Sequence, residues 1–386
     1  MTATQAAPPD QEPRPRPRVI EFFDRLDAVN RLVLPLLAIV SAMAIGAVLI
    51  ALTEGPGKIL SAYSALLKAP FSSIRGISDT MVYTTPLLLA GLSVTLGFKS
   101  GLFNIGATGQ LLAGAMASVY VGFSMHGPGI VQVPLGVLAG FVGGAAYGAI
   151  PGFLKARTGA HEVITTIMLN NIAVLAALWL LKTGAFRRPG RNDPISRTVD
   201  KAGRLPRLFG FMDRDDLRAH VGFLIALAAV AAVWWLLYRS TLGFQLRAMG
   251  ANPDAARYAG MKPAQLTIIA MTLAGALAGL AGAGETLGVQ GRATQSIAGN
   301  YGFDAIAVAL LGRSTPVGTL VSALLFGALQ TGGQKMQADA SVPIDLIVVL
   351  RALIVMFIAA PLLMKSIWRI KSEGASMGQA FRGWGS

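Results

Sequence analysis

Cysteine is absent from the 386 residues, so the chain has no disulfide framework and no thiol chemistry. Histidine is nearly absent. His126, His161 and His220 are widely separated and form no metal-ligand pattern. No G-x-x-x-x-G-K-[ST] run is present, which excludes ATP binding by a phosphate loop, and no nucleophile elbow is visible. The chain reads as a non-enzyme. Charge is scarce too, at 13% of residues, where a soluble domain carries about 25%. Residues 1–18 hold Pro, Ala, Gln and Arg without the apolar core of a signal peptide. Acidic residues number 19 against 33 basic ones, a net charge of +14. In so apolar a chain that excess follows topology and anionic lipid rather than nucleic acid.

What is present is hydrophobic. Apolar residues make up 53% of the chain and the mean hydropathy is +0.58. Runs long enough to cross about 30 Å of hydrocarbon recur. They predict spans near 32–52, 80–98, 102–122, 130–154, 162–181, 219–238, 265–288, 302–312, 317–333 and 344–364. The expected fold is all-α, a polytopic integral membrane helix bundle of about ten transmembrane helices with both termini cytoplasmic. Residues 1–31 read as a disordered cytoplasmic tail, 32–364 as the membrane domain and 365–386 as a second cytoplasmic tail.

Basic loops orient the bundle. Lys99, Lys155 with Arg157, the 239–264 loop, Arg313 and the tail with Lys365, Arg369 and Lys371 all fall on one side, read as cytoplasmic. The same topology puts residues 182–218 outside, although they hold ten Lys/Arg against five Asp. The positive-inside rule weakens for longer loops, so the topology stands with that loop as its main strain.

Glycine and polar residues carry the finer signals. Gly136, Gly140, Gly144, Gly148 and Gly152 recur every fourth residue and predict a bare stripe for close helix packing, repeated by Gly275 and Gly279. Polar groups inside spans are costly in lipid and are candidates for a solute path. Asn104, Thr108 and Gln110 lie in the glycine-rich GLFNIGATGQ. Glu162, Thr166 and Asn170 share one helix face in HEVITTIMLNN. Glu285 with Gln290 and Asp304 complete the set. Interhelical hydrogen bonding and helix capping explain these residues equally well.

The loop GANPDAARYAGMK, 250–262, lies between two spans. Asn252 before Pro253 predicts a helix cap, and Asp254 sits in the first turn where the macrodipole favours an acid. Ala255, Ala256 and Gly260 predict a bare side, with Arg247, Arg257 and Lys262 around it. Such a helix suits a groove on a cytoplasmic partner.

These blocks together are similar to a known family. GLFNIGATGQLLAGA at 101–115, HEVITTIMLN at 161–170, GANPDAARYAGM at 250–261 and GFDAIAVALLGRSTPVGTLVSALLFGAL at 302–329 resemble the permease subunits of bacterial ABC importers of the branched-chain amino acid, ribose and nucleoside group. The wording is closest to nucleoside or simple-sugar permeases. The resemblance covers about 80–364 and implies residence in the bacterial inner membrane. It implies that Arg247, Asn252, Asp254, Ala255, Ala256, Arg257 and Gly260 form the coupling helix to a cytoplasmic ABC ATPase, with Asp254 where glutamate is usual. Thr108 stands where relatives often have glutamate. It further implies a second permease subunit, an extracytoplasmic solute-binding protein, membrane lipid around the bundle, and no cofactor in this chain, ATP and Mg being bound by the ATPase. A branched-chain amino acid permease of the same family, a stand-alone secondary transporter and a passive channel are the other classes. The secondary transporter needs an ion-coupling site, for which only Glu285 and Asp304 are plausible acids. The channel needs a filter motif.

Overall fold

The computed structural model describes residues 18–359 except 213, together with residue 368. It is all-helical, with thirteen α-helices and no strand among the described residues. Six of the helices are long and apolar enough to cross a membrane. They are α1 (Arg18–Glu54, apolar from Leu36), α3 (Ile74–Lys99), α5 (Gly129–Thr158), α6 (Glu162–Lys182), α7 (Gly222–Arg239) and α10 (Pro263–Ala283), which runs on into a π-helical turn at Gly284–Gln290. α4 (Ala107–Ser124), α11 (Tyr301–Leu311), α12 (Pro316–Ala340) and α13 (Ile344–Ala359) complete the ten expected positions, but each is too short or too polar to count as a span on its own. α4 starts five residues later than expected because Gly101–Gly106 is not helical. Three short helices were not expected as spans: α2 (Ile59–Lys68), α8 (Thr241–Ala251) and α9 (Pro253–Tyr258).

Residues 1–31 read as a disordered tail, yet α1 is helical from Arg18, where the prolines stop. Residues 1–17 and most of 365–386 lie outside the described residues.

The chain forms two units, and residues 49–351 make up the larger. One cluster of its core is built from small side chains, Ala90 and Val94 of α3, Ala107 of α4, Ala278 of α10 and Ala305 with Ala309 of α11, while Leu88, Leu92, Leu111 and Phe326 are among the larger buried ones. α5 lies along α10 through its glycine stripe. A Cβ at Gly144 would sit 2.5 Å from the Gly279 Cα, and one at Gly148 would sit 2.8 Å from the Gly275 Cα. Gly140 faces Ala283, Gly136 faces Leu287 and Gly152 faces Met271. Backbones that meet this closely gain dispersion contacts, the main glue where lipid is as apolar as the helix. Hydroxyl pairs join α3 to α12, with Thr95 to Thr319 at 2.7 Å and Thr80 to Thr331 at 3.3 Å. α5 and α6 instead leave most of their apolar surface exposed, as lipid-facing helices do. In the smaller unit, Ala38 and Ala42 of α1 and Ile354 and Phe357 of α13 are buried, and the Trp368 indole donates to the Ser41 hydroxyl at 3.0 Å.

α7 separates two loops. Its eighteen residues rise about 27 Å, close to the hydrocarbon thickness, so 183–221 and 240–262 lie at opposite ends of the bundle. The longer loop is ordered against its neighbours. Ser196 N–H donates to the Ala293 carbonyl, Val199 N–H to Gly291 and Leu205 N–H to Leu287, at 2.9–3.0 Å.

Candidate functional site

α9 stands at the 240–262 end. The Asn252 side chain accepts from the Asp254 and Ala255 amides, each at 3.0 Å, and Pro253 starts the helix where its missing N–H costs nothing. Gly260 closes it with φ +83, its N–H donating to the Arg257 carbonyl while Met261 N–H reaches Ala256. This pairing is a Schellman cap. The expected bare side of Ala255, Ala256 and Gly260 is therefore corrected. Ala256 turns inward and is buried, Gly260 lies beyond the helix end, and the exposed surface combines Ala255, Tyr258 and Ala259 with the charged Asp254 and Arg257. Successive helical residues are about 100° apart, so Ala255 and Ala256 share no face. The Arg257–Asp254 pair is 3.6 Å long and exposed, too weak to hold the helix by itself. Arg247 is drawn away, stacked 5.3 Å from the Tyr238 ring centroid. Just before α9, the Gly250 backbone abuts Gly101, leaving no room for a Cβ on either.

The Asn104 and Glu162 clusters meet around the non-helical link 101–106. Asn104 and Gln110 exchange two side-chain hydrogen bonds at 2.9 and 3.1 Å. Asn104 also donates to Ser93 at 3.2 Å and accepts from Gly106 N–H at 3.0 Å. Asn170 accepts from Gly109 N–H at 2.8 Å and donates to the Ile105 carbonyl at 2.9 Å. Glu162 accepts from Phe103 N–H at 3.4 Å and pairs with Lys155. The Thr166 hydroxyl donates to the Glu162 carbonyl at 2.7 Å. Thr108 packs against Gly302, and its buried hydroxyl has no hydrogen-bond partner. Backbone outside a helix at membrane depth needs such partners, and these side chains supply them. Asn104→Leu is expected to lower stability by about 1–3 kcal/mol, because it strands the Gln110 amide and the Gly106 N–H. Thermal unfolding in detergent measures the loss, and solute selectivity is expected to be unchanged.

Glu285 and Asp304 do come together, on one cavity of about 250 Å³. Its polar walls are Glu285, Gln290, Asn300, Asp304, Gln330 and Arg351, with Tyr83 and Tyr301 giving aromatic surface and only Leu87 and Ile297 aliphatic. The π-helical turn carries Glu285, which is 4% exposed, with Gln290 and Tyr301 in hydrogen-bonding reach. Arg351 donates to Asp304 at 3.2 Å. The loop 183–221 pairs with 287–294 and the cavity wall continues from 296, so the cavity lies toward the end of the larger unit that carries this loop. Arg351, Tyr301, Tyr83 and Gln330 were not among the expected residues. Arg351 carries a legible signal, the one basic residue in the apolar run of α13 (Ile344–Ala359).

Helical packing, a broken helix start, a capped exposed helix at one end and a polar cavity at the other describe a membrane transport subunit. Residues 76–360 match the family described as Branched-chain amino acid transport system / permease component, and the chain belongs to it. It is a multi-pass inner-membrane permease component, not an enzyme. It is 38% identical over 350 residues to the guanosine ABC transporter permease protein NupP of Bacillus subtilis, covering 90% of this chain and 99% of that one. It is 37% identical to the nucleoside ABC transporter permease protein NupB of Lactococcus lactis subsp. cremoris, over 86% of this chain and 91% of that one. The glucose ABC transporter permease protein TsgB13 of Haloferax volcanii is 36% identical, over 84% and 86%. No solved structure matches the chain.

Proposed function

We propose that this chain forms the membrane path for nucleosides in an ABC importer. It pairs with a second permease subunit, a homodimer or heterodimer partner, and docks a cytoplasmic ATPase through α9. That ATPase binds ATP and Mg. An extracytoplasmic solute-binding protein delivers solute at the 183–221 end, and alternating access passes it inward. The observation that carries this reading is the placement of an exposed, doubly capped helix at the end of the unit opposite a polar cavity. The relatives named for guanosine and nucleosides support the solute class, with a simple sugar next.

The cavity argues against a branched-chain amino acid. Such a solute needs an aliphatic pocket and a cation for its carboxylate. The walls offer two aliphatic side chains, and their one guanidinium, Arg351, is already paired with Asp304. Uptake into proteoliposomes containing the whole complex tests the reading. Labelled guanosine is expected to enter only with hydrolysable ATP inside, and unlabelled leucine is expected not to compete. Uptake driven by an ion gradient through this chain alone would support a secondary transporter instead.

The side of the 183–221 loop has its own test. Asn192 is exposed, whereas Ser196 is buried against Ala293, so Asn192→Cys gives a reporter thiol in a cysteine-free chain. A membrane-impermeant thiol reagent is expected to label it on intact spheroplasts. Labelling only after the membrane is opened would reverse the topology.

A further inference from the structure

Two polar groups on the cavity walls have more hydrogen-bonding capacity than their protein neighbours use. Glu285 is almost wholly buried; its hydrogen-bonding neighbours, Gln290 and Tyr301, are neutral donors, and the Arg218 guanidinium acts on it from further off. It makes no ion pair among the described residues. A carboxylate accepts about four hydrogen bonds, so acceptor sites remain. On another wall, Arg351 spends one terminal nitrogen on Asp304, at 3.2 Å, while its buried Nε has no hydrogen-bond partner among the described residues. A buried donor left unpaired is costly, and such exceptions point to a missing partner. The volume of about 250 Å³ equals the share of about eight waters at about 30 Å³ each, room for a single base or sugar ring rather than an oligomer. Tyr83 and Tyr301 offer ring surface against which a flat solute packs.

We propose that this cavity is a solute-recognition subsite of the permease itself, in which Glu285 accepts and Arg351 donates hydrogen bonds to the edge of a nucleobase. The proposal rests on the nucleoside reading above. A base that carries ring and amino N–H donors beside a carbonyl acceptor satisfies both residues at once, as guanine does. Adenine offers the carboxylate a single amino N–H beside a ring-nitrogen acceptor, so it forgoes the paired two-donor contact that guanine's ring and amino N–H groups make with Glu285. Sites built to hydrogen-bond a solute reject analogues that lack the matching groups far more strongly than apolar pockets do. Aliphatic solutes find little to pack against.

The test compares guanosine with adenosine uptake in proteoliposomes holding the whole complex, with the same binding protein for every variant. Any change in the ratio then belongs to the permease. Wild type is expected to favour guanosine. Glu285→Gln replaces two acceptors by one acceptor and an amide donor, and is expected to lower the guanosine-to-adenosine ratio by about tenfold. Arg351→Lys keeps a charge for Asp304 but removes the Nε donor, and is expected to lower the same ratio. Size-exclusion profile and basal ATP hydrolysis report folding. If Glu285→Gln does not accumulate, the ratio in Arg351→Lys decides. A wild-type ratio in the folded variants, or equal losses for both solutes, overturns the subsite and leaves the nucleoside importer standing. A wild-type complex that carries no guanosine overturns both.

Discussion

Ala255→Trp is expected to leave the permease folded in the membrane and to disconnect it from its ATPase. Ala255 is exposed on the first turn of α9, among the exposed Asp254, Arg257, Tyr258 and Ala259. A large ring at that position prevents close approach of a partner while leaving the Asn252 cap and the inward-facing Ala256 untouched. Solute-stimulated ATP hydrolysis and uptake are expected to fall about tenfold or more, the factor that about 1.4 kcal/mol of lost docking energy gives. Co-purification with the ATPase reads docking directly. Gly260→Trp is a poorer probe, although the space beside Gly260 is open. Its φ of +83 strains any side chain, so that variant would mix damage to the helix end with loss of the interface. Intact assembly and full coupling in Ala255→Trp would remove α9 from the docking surface.

Gly144→Leu is expected to abolish accumulation of folded protein. The added side chain would begin where the Gly279 Cα and the Gly275 carbonyl oxygen already lie. Neither can step aside as a flexible side-chain tip does, because both are backbone inside α10. Separating α5 from α10 would also open the contacts at Gly140 and Gly148. The cost is expected to reach about 3 kcal/mol or more, the upper part of what overpacking causes. Gly57→Ala is the control. Nothing lies within 4 Å of its Cβ position and its φ is not positive, so a change within about 0.5 kcal/mol is expected. Size-exclusion yield and thermal unfolding in detergent measure both. A Gly144→Leu protein with wild-type yield and stability would show that α5 and α10 are not held at this distance.

Particular residues show how far the chain could be read without coordinates. The apolar runs mark where helices lie, because each must cover its own backbone hydrogen bonds in lipid. The α9 cap was legible because Asn-Pro-Asp acts within a few residues. Its outer face was not, since Gly260 follows the helix in a left-handed conformation and Ala256 turns toward the protein. α2 escaped notice because ten residues, only two of them buried, leave little periodic signal. The Asn104 and Glu162 clusters and the Glu285–Asp304 pair looked alike in sequence. All are polar groups in apolar surroundings, and nothing local tells a satisfied amide from a free one.

The sequence by itself determined membrane residence, helical class, family and the capped helix between two spans. Each rests on composition, a motif, or interactions a few residues apart. Only the tertiary structure decided which polar residues hold the broken start of α4 and which line a cavity. Asn104 meets Ser93, Asn170 meets Ile105, and Arg351 meets Asp304 across 47 positions of chain. Those partners are chosen by how α3, α4, α6, α11 and α13 pack. A buried polar group's role depends on whether its hydrogen bonds are already made, and that is a property of the packed fold.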